Sequence, residues 1–160
     1  MIQVLLTVML ILDVFGFLGY ILLKDKSIPE SISSCSYKLK DPVEFSVWMI
    51  SIAALLMPVL IGLCKGWYTF LVFFISVFLG MVGSSPLYRT EDKPVHVVGG
   101  IGFGILSQVF IILDGYWWIT CGIGLVYIVY LLFWKDKNYT WWAELGAIMT
   151  LLCYILVRSL

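Results

Sequence analysis

The chain has 160 residues, of which 62% are hydrophobic and 12% charged, and its ten Lys and Arg balance its ten Asp and Glu. Mean hydropathy is +1.03. A soluble domain carries about 25% charge and about 45–50% apolar residues, so these values exclude a water-soluble globule and a disordered chain. A net charge of zero also leaves no basic footprint for nucleic acid.

The expected fold class is an all-α integral membrane protein. A spanning helix needs about 20 mostly apolar residues, each rising about 1.5 Å through a hydrocarbon core about 30 Å thick. Six segments meet this, at about 2–23, 44–64, 67–84, 96–113, 116–134 and 140–157. They form one domain, a bundle of six transmembrane helices with short loops and no internal repeat. None shows the apolar–polar alternation of a barrel strand. The first span has no basic residue ahead of it and no small-residue cleavage site, so it reads as retained rather than as a signal peptide.

In chain order, Asp13 lies near the middle of span one, in Leu12-Asp13-Val14-Phe15-Gly16. A carboxylate at that depth normally faces the bundle interior or a wet cavity, where it serves as a proton, cation or conduction site, or else it is a neutral group bonded to a neighbouring helix. Residues 24–43 form the only long loop, and it is rich in Ser. Pro58 inside span two is expected to kink that helix and free a carbonyl. Lys65-Gly66 and Asp114-Gly115 read as hairpin-like turns. Ser85-Pro86 and Lys93-Pro94 bracket a loop that no helix can continue. Span four opens with His96 and a run of glycines, in which Gly100 and Gly104 have the four-residue spacing of a close helix contact, within the subunit or between subunits. Further along, Gln108 is a second polar residue at intramembrane depth. Lys135 to Asn138 is a charged turn, and Glu144 lies one turn into span six.

The seven Trp support these boundaries, because indole prefers the interface. Trp48, Trp134, Trp141 and Trp142 fall at span ends on one side, and Trp67, Trp117 and Trp118 on the other. Lys24, Lys26, Lys38, Lys40, Arg89, Lys93, Lys135 and Lys137 lie on the first side, against Lys65 and Arg158 on the second. The positive-inside rule then makes the three larger loops cytoplasmic and both termini external, in a plasma or inner membrane.

His96 and Glu144 sit at similar depth near the cytoplasmic interface. Tyr88, Arg89, Glu91 and Asp92 come from the third loop, and Ser31, Ser33, Ser34, Ser36 and Tyr37 from the first. His96 beside a carboxylate suits a general base or a pH switch, with Ser33 and Tyr37 as partners. The structural alternative is a His capping a helix start, with Glu144 wet or paired to a Lys. One His and four scattered Cys do not make a catalytic zinc site, and no cofactor is expected. Cys64 and Cys121 lie near the same face, either as a pair or as small buried hydrophobes. Phosphate loops and nucleophile elbows are lacking.

Val82-Gly83-Ser84-Ser85-Pro86-Leu87-Tyr88, followed by His96-Val97-Val98-Gly99-Gly100, resembles the junction of the third and fourth spans in DRAM-like and uncharacterised bacterial six-span membrane proteins. The Ser-rich loop ending at Tyr37 fits the same pattern. This resemblance covers about a third of the chain and implies a six-helix bundle without established catalysis. Two functions follow from the residues. One is a non-enzymatic, oligomeric channel, transporter or membrane effector built around Asp13, with the lipid bilayer and further copies or a membrane complex as partners. The other is a membrane enzyme acting on lipid or isoprenoid head groups through His96, Glu144, Ser33 and Tyr37, or else a regulatory subunit.

Overall fold

The computed structural model describes residues 2–25, 28–37, 39–84, 93–134 and 138–159. All regular structure among them is helical. Six α-helices are formed: α1 (Ile2–Asp25), α2 (Pro42–Leu63), α3 (Phe70–Ser84), α4 (Lys93–Leu113), α5 (Trp117–Phe133) and α6 (Tyr139–Ser159). Short 3-10 turns at Ser33–Tyr37 and Trp67–Thr69 precede α2 and α3. Five segments, corresponding to α1, α2, α3 with its preceding turn, α4 and α6, are long and apolar enough to cross a membrane, whereas α5 is a shorter apolar helix of 17 residues.

Local sequence sets the helix ends. Asp41 caps α2 by accepting from the Val43 N–H at 2.9 Å, with Pro42 at the first helical position. Pro58 does not end α2, which continues to Leu63. At the end of α4, Tyr116 N–H donates to Ile111 and Gly115 N–H to Ile112, both at 3.0 Å. This is the paired closure of a Schellman cap, and it requires Gly115 at φ +88, where a side chain would strain.

Helices α1 to α4 pack as successive antiparallel neighbours, and α6 closes the ring against α4, α2 and α1. Because α5 intervenes, α4 and α6 run parallel. Helix α5 lies outside the ring against α4 and α6, and within it only Ile119 is buried. The core is aliphatic and aromatic, with Phe45, Leu56, Val59, Phe110, Tyr154 and Ile155 fully enclosed.

The close approach of α3 and α4 depends on Gly99 and Gly102. A Cβ at Gly99 would lie 2.8 Å from the Phe78 carbonyl oxygen, and one at Gly102 2.7 Å from the Phe78 ring. Gly100 and Gly104, the expected packing pair, point elsewhere, and a Cβ on either would meet nothing within 4 Å. Within the chain, the contact with α3 therefore falls on Gly99 and Gly102 rather than on Gly100 and Gly104. Trp48 and Trp141, expected at the interface, are buried at 4% and 2% exposure. Trp48 stacks on Phe17 with centroids 4.0 Å apart and donates its indole N–H to the Asp13 carbonyl at 3.1 Å.

Candidate functional site

Two polar clusters and one cleft occupy the α4–α6 pair. At its C-terminal end, Asp114 projects from the Schellman cap into the bundle with 6% side-chain exposure. Tyr68 donates its hydroxyl to Asp114 Oδ1. Tyr154 donates to Oδ2 at 2.9 Å, and Arg158 pairs with Oδ2 at 3.3 Å. The rings of Phe110, Tyr154 and Tyr116 pack edge to face around this carboxylate. The cluster ties the turn before α3 to α4 and α6. An Asp-Gly dipeptide reads as a turn, and Arg158 reads as a flanking charge. Only their shared depth with Tyr154 signalled the cluster.

At the N-terminal end the same two helices part. A cleft of about 400 Å³ opens between His96, Val97, Gly100 and Gly104 of α4 and Thr140, Glu144, Ala147 and Ile148 of α6. Met49, Leu79 and Phe103 are among the residues that floor it, and Ile32 and Ser33 of the first loop line its upper end. Three of the expected interfacial residues, His96, Glu144 and Ser33, therefore share one wall system. Tyr88, Arg89, Asp92 and the Tyr37 side chain lie outside the described residues.

Glu144 organises this end. Its Oε2 accepts from the backbone N–H of Ile32 at 2.6 Å and of Ser33 at 3.3 Å, and its Oε1 accepts from the Ser33 hydroxyl at 3.1 Å. These are the first N–H groups of the 3-10 turn, which have no partner within the turn itself. Ser31 takes the next one, accepting from Ser34 N–H at 2.9 Å. In return, the Glu30 carbonyl accepts the Trp141 N–H at the start of α6 at 3.1 Å. Loop and helix thus cap each other through Glu144 and the Glu30 carbonyl. His96 hydrogen-bonds the backbone of Val82 on α3.

Asp13 and Gln108, the polar residues expected at intramembrane depth, are engaged elsewhere. Asp13 Oδ2 accepts from Ser51 on α2 at 2.7 Å, and Asp13 lines neither this cleft nor a central void of about 20 Å³ walled entirely by apolar side chains such as Leu10, Ile52 and Leu152. Gln108 accepts from Thr120 at 3.0 Å, joining α4 to α5. Cys64 and Cys121 are not bonded to each other. Cys64 lies 3.3 Å from the Thr69 hydroxyl. No group of three or more His, Cys, Asp or Glu among the described residues is placed to hold a metal ion.

These features define an all-helical protein with an apolar exterior and, among the described residues, an amphipathic side cleft. No protein-family model, curated protein or solved structure matches the chain.

Proposed function

We propose that this is a multi-pass membrane protein that admits one chain of a membrane amphiphile sideways into the α4–α6 cleft. The head group rests against Ser33, His96, Thr140 and Glu144. The observation that carries this reading is the gathering of those four polar residues at one end of an otherwise apolar cleft. Val97 and Ile101 on its α4 wall are 45% and 59% exposed, an apolar rim suited to lipid rather than water. From His96 to Gly104 the helix rises about 12 Å, close to the roughly 15 Å of one hydrocarbon leaflet. A cleft of about 400 Å³ lies in the range for one small ligand. The excess of Lys and Arg on the loop side supports placing the head-group end in the cytoplasmic leaflet.

Transport through a single chain has less support. The bonded Asp13 and the apolar lining of the central pocket offer no polar path among the described residues. Binding suits Glu144 better than proton transfer, because its carboxylate already accepts three hydrogen bonds. The test is native mass spectrometry of protein taken from membranes into lipid nanodiscs. A retained single-chain adduct is expected in the native protein and lost in Gly100→Leu/Gly104→Leu. An adduct indifferent to both leucines, or no adduct together with cation flux in liposomes that Asp13→Asn abolishes, overturns the reading.

A further inference from the structure

Resting on that cleft, we infer its ligand class: a single-chain amphiphile whose head group donates hydrogen bonds and carries no phosphate, an amine or a glycerol-like polyol. The inference comes from a count of donors and acceptors at Glu144 and Ser33, on the loop side of the polar end. A carboxylate offers about four lone-pair positions. Ile32 N–H and Ser33 N–H take two on Oε2 of Glu144, and the Ser33 hydroxyl takes one on Oε1. The remaining position is on Oε1. The Ser33 hydroxyl spends its only proton on Glu144, so what it can offer a ligand is lone pairs. The backbone N–H groups of Ile32 and Ser33, which would otherwise form an anion-binding turn, are consumed by the same carboxylate.

An anionic head would therefore find these loop donors taken. It would also meet the Glu144 charge in a site where apolar walls weaken screening. An amine or a pair of hydroxyls instead supplies the proton that Oε1 and the Ser33 oxygen can accept. The apolar floor of Met49, Leu79 and Phe103 and the bare backbone at Gly100 and Gly104 leave room for one chain beneath.

The experiment uses three photoactivatable probes of equal chain length, each with a diazirine in its chain: a primary alkylamine, a monoacylglycerol and a lysophosphatidate. Each is added to the full-length protein in phosphatidylcholine nanodiscs, and labelled peptides are mapped. The amine and the monoacylglycerol should label residues 96–104 and 140–148, with the lysophosphatidate at least about tenfold weaker, as expected for a phosphate placed beside the Glu144 carboxylate. Glu144→Gln should lower amine labelling about tenfold and monoacylglycerol labelling less, which separates the two head groups. Ser33→Ala leaves both backbone bonds to Glu144 in place and should lower labelling by both probes several-fold. Lysophosphatidate labelling equal to the others at the same residues overturns the ligand class while leaving the cleft reading intact. Amine labelling unchanged in both Glu144→Gln and Ser33→Ala overturns it too. Labelling by any probe that survives Gly100→Leu/Gly104→Leu, or no labelling at all, overturns the cleft reading itself.

Discussion

The two ends of the α4–α6 pair use the same ingredient, a carboxylate on a helix, to opposite effect. At the C-terminal end, Asp114 receives Tyr68, Tyr154 and Arg158 from two other elements and draws the helices together. At the N-terminal end, Glu144 receives the first loop, and α4 and α6 stay apart around a cleft. What differs is where the donors come from. Donors on an adjacent element that also packs against α4 close the gap. Donors on a loop that stands above the helices cap it and leave the space below unfilled. Aromatic rings reinforce the first arrangement, since Phe110, Tyr154 and Tyr116 fill the volume that glycines leave empty at the other end.

Removing the carboxylate at the closed end should have the largest effect. Asp114→Leu leaves two tyrosine hydroxyls without their acceptor and the Arg158 guanidinium without its counter-charge. Breaking a buried charge network from one side costs about 3–5 kcal/mol, and the 35% exposure of Arg158 puts the loss near about 3. The thermal midpoint in detergent micelles should fall accordingly, with Asp114→Asn intermediate because one acceptor remains. A midpoint unchanged in Asp114→Leu would mean that ring packing alone closes this end.

The glycine faces of α4 sharpen the contrast. Gly102→Leu drives a side chain into the Phe78 ring and should cost about 1–3 kcal/mol through overpacking. At the open end, Glu144→Gln keeps the shape of the cap but weakens acceptance by Oε1 or Oε2. Its effect should be about 1–2 kcal/mol and confined to the loop, seen as faster amide exchange in residues 30–36 with the α3–α4 amides unchanged. Exchange that accelerates across the whole bundle would make Glu144 a global support like Asp114.

Hydropathy made the helices legible because depth is written in runs of apolar residues, and the breaks at Lys65-Gly66 and Asp114-Gly115 are local turn chemistry. It did not give the azimuth of each helix. Outward positions such as Leu12, Ile101 and Leu132 are as apolar as inward ones such as Leu10, Phe110 and Leu152. The choice between Gly99/Gly102 and Gly100/Gly104 was therefore open until the partner helix was seen. The closeness of His96, Glu144 and Ser33 was legible as shared depth. That Glu144 caps the loop, and that Asp114 gathers residues from 46 and 40 positions away, depended on long-range packing. The burial of Trp48 was not legible either, because it depends on its indole N–H finding the Asp13 carbonyl on the neighbouring helix.

The smallest effect, and the one opposite in sign, is expected at Gly104. Its Cβ would enter open space, with no heavy atom within 4 Å, so Gly104→Leu can place its side chain in the cleft. Replacing a mid-helix glycine removes about 0.8–1.0 kcal/mol of propensity penalty, and the leucine side chain covers part of an apolar wall. The variant should thus match or slightly exceed the native stability, by about 0.5 kcal/mol, with a thermal midpoint no lower than the native one. Against Gly102→Leu two residues away, this pair tests the geometry directly, because both substitutions add the same side chain to the same helix at nearly the same depth. If both variants are destabilised equally, α4 is packed on both faces and the cleft is closed in the folded protein. If only Gly102→Leu is destabilised, the space beside Gly104 is free for a ligand chain, and the leucine there removes binding without removing the fold.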